Sequence, residues 1–542
     1  MTATPDSRAA GAQPGGLRAR PSGRAAALRR LLVIVLAAAA WLAAGCTTLP
    51  PPAGRTPSHA YTDTVQTPLG QAVAPAVAEH PGRSGFLAFE DPHDAFAARV
   101  LLAGAAERSI DAQYFVWHDD AVGILMWQAL WQAAQRGVRV RVLLDDANTA
   151  GLDPLLAALG AHPNIELRLY NPFPTRSSRA LGYLGDFSRL NRRMHNKAFI
   201  ADNQASVVGG RNIADEYFGA ADGLGFADLD VLAIGAVVQA VSREFDLYWN
   251  SASAYPAAPF VGPAPADPAA VLQPRFDAVQ RDPQAARYLQ AVRGAPFVRE
   301  LLERRLAFDW ATAQVLYDDP AKTLDADDRA DLLLLPALMQ RMGMPRRSLD
   351  IVSPYFVPGE TGTAMLAGLA RGGVQVRVLT NSLASSDESV VHAGYAKRRL
   401  DLLRAGVRLW ELEPGAAAAS MRVRGRFGPA KVSGLHAKTY AVDGARVFVG
   451  SFNFDQRSAH LNTEMGLVMD SPQAAQQLAR VFETEVPEVA YEVRLGADGS
   501  SLQWVEQRDG GATVVHDVDP ETSLWQRLKI GFLEGLPIDW LL

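Results

Sequence analysis

The chain has 542 residues, of which 48% are hydrophobic and 20% are charged. This composition excludes a disordered tail, and the length supports two or more hydrophobic cores. The single cysteine, Cys46, has no partner within the chain, which excludes a disulfide framework and a cysteine-rich metal site.

The first 45 residues have the organisation of a secretory signal. Arginines precede the apolar run LLVIVLAAAAWLAA, Leu31 to Ala44, which is shorter than the roughly 20 residues of a helix that spans a bilayer. The run ends in LAAGC, which resembles the lipobox of bacterial lipoproteins and implies that Cys46 becomes the lipid-bearing first residue of the mature chain. A retained transmembrane anchor is the alternative.

This segment also affects the charge and the expected location. Residues 1–45 carry six arginines and one aspartate, so removing their +5 from the formal net charge of −5 leaves about −10 on the mature chain. Such a charge argues against nonspecific nucleic-acid binding, which depends on lysine and arginine. We expect a lipid-anchored protein of the bacterial envelope, and Thr47, in place of an inner-membrane retention aspartate, is compatible with the outer membrane. Residues 46–85 are rich in proline and small polar residues and predict a flexible tether.

The rest of the chain contains two similar sets of predicted strands separated by helical segments. In residues 86–250 the strands are SIDAQYFVW, GVRVRVLLDD and IELRLYNP; in residues 291–490 the same order returns as SLDIVSPYFVPG, GVQVRVLTNS and GVRLWELEP. Strands alternating with helices predict layered α/β domains. Similarity between the halves predicts that they pair about a pseudo-twofold axis, with an active site at their interface.

Three further segments complete the domain organisation. Residues 251–290 are a proline and alanine-rich connection, and the apolar periodicity from Phe297 to Phe308 predicts a helix that opens the second half. Residues 491–542 predict a hairpin and an amphipathic helix with several apolar side chains at helical spacing. That helix either lies on a bilayer or packs against the body of the enzyme.

One motif occurs at the same place in both halves. Each copy reads H-x-K-x(4)-D and is followed by two small residues and then, 17 residues after the histidine, by an asparagine. The matched pairs are His195 and His436, Lys197 and Lys438, Asp202 and Asp443, and Asn212 and Asn453. One copy alone is typical of a strand histidine beside surface charges, but two copies in register are not plausibly a coincidence.

The spacing of the motif predicts an anion site. Residues two apart on a strand point to the same face, so each histidine projects together with its lysine. The small residues that follow let backbone N–H groups and the asparagine amide approach an anion. Two copies across an interface would surround one pocket with two imidazoles, two ammonium groups and two amides, which suits a phosphodiester.

The duplicated motif resembles that of the phospholipase D superfamily. Within it, LLDDANTAGLD, DFSRLNRRMHNK, FADLDV and HAGYAKRR resemble segments of the C-type bacterial cardiolipin synthases, and the resemblance covers roughly Phe86 to the C-terminus. It implies two phospholipase D-like α-β-α half-domains and covalent catalysis, in which one histidine forms a phosphohistidine while the other protonates the leaving alcohol and then deprotonates the acceptor. It also implies that no metal or cofactor is needed.

The resemblance implies unequal roles for the two histidines. By analogy His195 is the nucleophile and His436 the acid and then the base, although the similarity of the two motifs leaves the reverse open. Each histidine needs a carboxylate on its far ring nitrogen. We expect Glu464 to serve the second half and Asp228, rather than Asp230, to serve the first.

Other conspicuous residues have predicted structural roles. Asp202 and Asp443 lie five residues beyond their lysines and are expected to close a turn rather than to take part in catalysis. His392 and Tyr395 are expected on a helix, either near the acceptor headgroup or packed in a core. Asp145, at the end of a strand, is more typical of a turn or helix cap than of a metal ligand.

The function that follows is phosphatidyl transfer that forms cardiolipin at the membrane. The family implies phosphatidylglycerol and phosphatidylethanolamine as substrates, with glycerol or ethanolamine lost. Hydrolysis of the same lipids is the alternative, because a phosphohistidine does not itself choose between water and an alcohol. A nuclease of the same superfamily is disfavoured by the acidic mature chain, and a silent lipid-binding scaffold would be expected to have lost a motif residue. The sequence identifies no helper protein.

Overall fold

The computed structural model describes residues 54–176, 178–221, 225–324, 329–415, 432–508 and 511–536, together with Val33 and Leu49. Apart from Val33, the predicted signal segment lies outside these residues, and so does Cys46. Among the residues that are described, no helix combines the length and the apolar character needed to cross a membrane.

The first half is built on a nine-stranded mixed sheet. Its strands, together with β7, which pairs elsewhere, are β1 (Ser84–Phe89), β2 (Ser109–Val116), β3 (Arg139–Asn148), β4 (Ile165–Tyr170), β5 (Ala198–Ala201), β6 (Ala205–Gly209), β7 (Gly225–Ala227), β8 (Asp230–Gly235), β9 (Ala254–Pro256) and β10 (Asp309–Ala311). The order in the sheet is β10-β1-β8-β6-β5-β2-β3-β4-β9.

Helices connect and cover these strands. They are α1 (Pro68–Glu79), α2 (Pro92–Ala105), α3 (Ala121–Gln135), α4 (Asp153–Leu159), α5 (Arg179–Leu190), α6 (Asp215–Phe218), α7 (Val238–Trp249), α8 (Ala258–Val261), α9 (Pro268–Arg281), α10 (Pro283–Arg293) and α11 (Pro296–Leu302).

The second half is built on a ten-stranded sheet. Its strands, together with β15, are β11 (Ala313–Tyr317), β12 (Ser348–Val352), β13 (Gln375–Asn381), β14 (Arg408–Leu412), β15 (Val432–Leu435), β16 (Lys438–Val442), β17 (Arg446–Gly450), β18 (Met465–Met469), β19 (Ala490–Leu495), β20 (Leu502–Arg508) and β21 (Ala512–His516). The order is β11-β18-β17-β16-β12-β13-β14-β19-β20-β21.

Helices also connect the strands of this half. They are α12 (Leu334–Met342), α13 (Gly359–Arg371), α14 (Ser389–Ala396), α15 (Arg399–Arg404), α16 (Gln456–His460), α17 (Pro472–Thr484), α18 (Val486–Val489) and α19 (Leu524–Glu534), with short 3-10 turns at Pro320–Thr323 and Ala330–Leu332.

Each sheet contains a matching set of six central strands, which confirms the predicted duplication. β8-β6-β5-β2-β3-β4 in one half corresponds to β18-β17-β16-β12-β13-β14 in the other, with parallel pairing in the last three strands of each set. Matching glycines with left-handed φ, Gly137 (+96°) and Gly373 (+90°), follow helices α3 and α13 and precede the middle parallel strand of each half. Glycine adopts this conformation without the penalty of a Cβ.

The halves pack through a shared apolar core. Helix α7 of the first half contributes Phe245 and Trp249, and the second sheet contributes Val447, Val449 and Met465. Strands β7 and β15 form a separate two-stranded parallel sheet, which also joins the halves. This burial holds the two copies of the motif at one interface.

The tether predicted over residues 46–85 is too long, because the later part of this segment packs against the first half. The buried guanidinium groups of Arg141 and Arg168 donate to the backbone carbonyls of Ser58 and Thr56 at 2.9 and 2.7 Å. Helix α1 follows and begins with a side-chain cap from Thr67. Composition favoured a tether over 46–85 because the segment has few large apolar residues, whereas charged groups of the body hold its backbone.

The boundary between the halves also lies further along the chain than predicted. The helix expected from Phe297 onwards exists as α11, but Phe297 is buried in the core of the first half, and β10 pairs with β1. The proline and alanine-rich connection likewise contains α9 and α10, which bury Phe276 and Tyr288 in that core. The second sheet therefore begins at β11.

Candidate active site

The two motif histidines stand just before matching strands, β5 and β16, and each is only 7% exposed. The backbone N–H of His195 donates to Thr463 O at 2.8 Å, and that of His436 donates to Ala227 O at 2.7 Å. Each motif therefore pairs with a segment of the opposite half.

This exchange of segments also exchanges the carboxylates. His195 Nδ1 lies 2.8 Å from Glu464 Oε2, and His436 Nδ1 lies 2.6 Å from Asp228 Oδ2. The sequence prediction selected the right carboxylates and assigned each to the wrong histidine, because it assumed pairing within a half. When the Nδ1–H group donates to the carboxylate, the Nε2 lone pair of the neutral imidazole faces the pocket.

The alternative carboxylate, Asp230, has a different environment. It forms an ion pair with the buried Arg99 at 2.8 Å and lies 3.5 Å from Arg211. Its charge is therefore balanced within the first half, away from either imidazole.

The small residues after each motif contact these carboxylates in different ways. A Cβ at Gly210 would collide with the Asp228 carboxylate, so glycine is required there. At the matching position Ser451 Oγ donates to Glu464 Oε2 at 2.5 Å, and Ser458 Oγ donates to Glu464 Oε1 at 2.9 Å. Sequence reasoning missed both serines, although Ser451 stands in the small-residue pair that it had noted.

The two carboxylates have opposite electrostatics. Burial raises the pKa of Glu464 to about 7, despite the nearby Lys197 and its serine donors. Burial acts in the same direction on Asp228, but His436, Lys438 and Arg211 outweigh it and lower its pKa to about 2. The pKa of Asp228 therefore lies far below neutral pH, and that of Glu464 lies close to it.

The imidazoles and ammonium groups influence one another across the interface. Burial and repulsion by both motif lysines hold the pKa of His195 well below its usual range, and burial with repulsion by Lys438 lowers that of His436 to about 4. Burial also lowers the pKa of Lys438 to about 8 and that of Lys197 well below its usual range. Both copies thus share one electropositive pocket in which the imidazoles are neutral at pH 7 before a phosphodiester enters.

Further side chains shape the pocket. Rings pack edge-on against the imidazoles, Phe115 on His195 and Tyr217 on His436, each with centroids 5.0 Å apart. The Asn453 Oδ1 atom is buried without a hydrogen-bond partner. Its counterpart Asn212 accepts a bond from the backbone N–H of Val116 at 3.2 Å through its own Oδ1, so the two amides are not equivalent.

The motif aspartates lie away from the imidazoles and bind backbone. Asp202 accepts hydrogen bonds from the N–H groups of residues 107–109, and Asp443 accepts them from residues 346–348. Both have left-handed φ, +51° and +55°. Each carboxylate ties the turn after the motif to the start of the central strand, β2 or β12.

Other residues singled out in the sequence lie in structural networks. Asp145 accepts from the backbone of Ala147 and Met194. His392 and Tyr395 are buried on α14, so the structure places them in a core rather than at a headgroup. Within the described part of the chain, the three-residue cluster with metal-ligand spacing is His118, Asp120 and Glu216, which contains no motif residue.

Two crossed histidine–carboxylate pairs, two lysines and two asparagines around one pocket form an arrangement for phosphoryl chemistry. The family description "Cardiolipin synthase, PLD-like domain" matches residues 101–249 and 338–486, one match for each half. The chain belongs to this family of phospholipase D-like proteins. It is an enzyme of the phospholipase D type, a cardiolipin synthase-like phosphatidyltransferase.

Individual relatives agree with this membership. Cardiolipin synthase C of Escherichia coli (strain K12) is 45% identical over 478 residues, which cover 88% of this chain and 99% of the relative. Cardiolipin synthase A of Pseudomonas syringae pv. syringae is 28% identical and covers 71% of this chain and 64% of its own.

A solved structure agrees with the fold. The crystal structure of phosphatidylserine synthase from Haemophilus influenzae Rd KW20 has a TM-score of 0.51 at 14% identity and covers 87% of this chain and 99% of its own. The predicted superfamily and α/β fold are confirmed.

Proposed function

We propose that this enzyme transfers a phosphatidyl group through a phosphohistidine to the alcohol of a second phospholipid and so forms cardiolipin. The observation that carries the proposal is the crossed pair of histidine–carboxylate units around one buried, cationic pocket. The 45% identical relative bears the name cardiolipin synthase C, which supports this acceptor.

The first step forms the covalent intermediate. His195 Nε2 attacks phosphorus, and the bond from phosphorus to the headgroup oxygen breaks. His436 takes up a proton on Nε2 when the anionic phosphodiester enters beside the two lysines, and it gives that proton to the leaving oxygen. Lys197 and Lys438 balance the charge that develops on the non-bridging phosphate oxygens. The free alcohol leaves, and His436 is left neutral.

The second step reverses the proton transfer. His436 Nε2 removes the proton of the acceptor hydroxyl while that oxygen attacks phosphorus, and the phosphorus–nitrogen bond to His195 breaks. The imidazolium of His436 is restored and stays beside Asp228.

The environments of the carboxylates support this division of roles. An acid-base histidine must carry a positive charge for part of the cycle, and the fully ionised Asp228 stabilises that charge on His436. A nucleophilic histidine needs mainly to be held in the correct tautomer, for which Glu464 with its two serine donors is sufficient.

The proposed substrates are phosphatidylglycerol and phosphatidylethanolamine at the membrane, with glycerol or ethanolamine as the leaving alcohol. The proposed location is the bacterial envelope, with a lipid on Cys46 as the anchor, facing the periplasm from the outer membrane. An anchored enzyme meets a high local concentration of lipid hydroxyls, which favours an alcohol over water as acceptor.

The test is lipid mass spectrometry on a cardiolipin-free bacterial host that expresses the wild type, His195→Ala or His436→Ala. We expect cardiolipin with the wild type and none with either variant at equal expression. Asp443→Asn is the matched control, because this motif residue contacts backbone rather than imidazole. Phosphatidic acid in place of cardiolipin would make the enzyme a hydrolase, and unchanged lipids would contradict the proposal.

A further inference from the structure

The C-terminal helix α19 buries only a narrow face. Ile530 is 5% exposed and packs with Leu383 and Ala393 of the second half. Its other face carries large apolar side chains in contact with solvent, namely Leu524, Trp525, Leu528 and Phe532, with Trp525 79% and Phe532 70% exposed. Packing against the body, one of the two sequence alternatives, therefore holds for the narrow face, and the bilayer alternative concerns the exposed face.

A second helix of the described chain has the same character. Helix α5 in the first half is kinked at Asp186 and buries Leu190. Leu181 and Leu184 before the kink and Phe187 after it are exposed, with Leu184 81% exposed. Contiguous exposed apolar side chains of this size mark an interaction surface, because burying one such side chain is favourable by about 1.5–3 kcal/mol.

Hydrogen bonds and electrostatic interactions connect both helices to residues near the pocket. Arg457 donates to the backbone carbonyl of Asn191, which caps α5, at 2.7 Å and is within electrostatic reach of Tyr183 on α5 and of His195. Arg457 also acts on Glu388, which Lys529 of α19 reaches as well.

The α19 end of this line is a direct contact. Lys529 Nζ donates to Ser389 Oγ at 3.2 Å, and Ser389 is the first residue of α14, against which α19 packs. Asp387, two residues before Ser389, acts electrostatically on Lys438 of the pocket, so each apolar helix adjoins a segment that reaches the pocket.

We propose that the exposed faces of α5 and α19 form one docking surface that inserts into the phospholipid bilayer and sets the pocket against the lipid headgroups. This inference rests on the proposed function and names the surface through which the substrate arrives. Trp and Phe beside Leu on a helix surface are typical of side chains that lie at the boundary between headgroups and acyl chains.

Charge and geometry favour a bilayer over a protein partner. The exposed Lys529 and the half-buried Arg527 accompany the apolar side chains of α19, whereas Arg179 and Arg189 of α5 are paired with Asp146 and Asp186. The basic residues of α19 suit an anionic lipid surface, to which each basic residue contributes about 1 kcal/mol. The histidines are only 7% exposed, so a headgroup has to leave the bilayer and enter the pocket, which requires close apposition of the two.

The test uses the full chain with Cys46→Ser, which leaves no other cysteine, and an environment-sensitive fluorophore at one introduced cysteine. Leu528→Cys and Leu184→Cys report on the two helices. Leu302→Cys is the matched control, because Leu302 is a leucine on a helix outside the surface and is 79% exposed. Each labelled protein is mixed with vesicles of phosphatidylglycerol and phosphatidylcholine that carry a quencher in the acyl chains.

We expect a blue-shifted, quenched emission from positions 528 and 184 and none from position 302. Equal emission at all three positions would overturn the proposal. A shift that occurs without vesicles and rises with protein concentration would assign the surface to a second copy of the chain, and this would overturn it too.

A turnover measurement separates docking from chemistry. The double variant Leu528→Gln, Phe532→Gln should lower turnover of vesicle phosphatidylglycerol about tenfold or more and leave turnover of monomeric dihexanoyl phosphatidylglycerol unchanged. Leu302→Gln should change neither rate. Equal loss on both substrates would overturn docking, whereas a wild type inactive on both would refute the proposed function and leave the fluorescence result to decide the surface.

Discussion

The two halves of the active site share a motif but differ in the carboxylate that contacts each histidine. His436 faces an aspartate whose pKa is about 2, packed against a glycine. His195 faces a glutamate whose pKa is about 7, held by two serines. The two copies have the same reacting groups, whereas the carboxylates and the residues that contact them differ.

This difference separates positioning from charge. Both carboxylates can hold a histidine in the same tautomer, but only Asp228 carries a full negative charge at neutral pH. A pseudo-symmetric pocket can therefore assign unequal roles to identical imidazoles, and the following predictions test that assignment.

The largest expected effect separates the two histidines. His195→Ala and His436→Ala should each lower phospholipid turnover by about 10⁴-fold or more. On an aryl phosphodiester, whose leaving group needs no proton, His436→Ala should recover a burst of product and a trapped phosphohistidine, whereas His195→Ala should show neither. The measurement is burst kinetics with intact-protein mass spectrometry, and the opposite pattern would exchange the two roles.

A smaller effect separates the two carboxylates. Asp228→Asn removes a charge beside His436 and should lower kcat by about 10³-fold. Glu464→Gln should lower it only about tenfold, because the raised pKa of Glu464, about 7, leaves it less charged than Asp228 at neutral pH. Steady-state kinetics measures both, with thermal melting to establish that each variant is folded. Equal losses would show that charge does not distinguish the two sites.

The smallest effect is a pH dependence. Glu464 loses its charge as the pH falls through about 7, and Lys438 loses its charge as the pH rises through about 8. The value of kcat/KM should therefore be highest between these limits. It should level off about tenfold lower on the acid side, the loss expected of Glu464→Gln, and should fall about tenfold for each pH unit on the alkaline side.

Two variants assign the limbs of this profile. Glu464→Gln should abolish the acid limb, and Lys438→Arg should move the alkaline limb upwards, because arginine stays charged. A profile that both variants leave unchanged would attribute the limbs to other groups.

Much of the fold could be predicted because the sequence is duplicated, so that a strand pattern found in one half supported the same pattern in the other. The strands from Ser109 and Ser348 alternate in the same way, and their glycines and parallel neighbours recur at matching places. The N-terminal segment could not be predicted in this way, because buried arginines that lie far away in the sequence hold its backbone.

The same reason limited the prediction of the site. The reacting residues were identifiable since their spacing is local, two residues from histidine to lysine. The pairing of carboxylates was not, because His195 and Glu464 are separated by 269 residues while Asp228 is much nearer to His195 in sequence. The parallel pairing of β7 with β15 brings Asp228 to His436, and the bridge between Met194 and Thr463 brings Glu464 to His195.

The exchanged carboxylates make the halves mutually dependent. Neither half alone contains a histidine together with the acid that orients it, so a separated half would be chemically incomplete even if it folded. Covalent linkage in one polypeptide ensures a one-to-one ratio of the two. It also gives each copy its own codons, so that Asp228 and Glu464 could become different while still serving a common reaction.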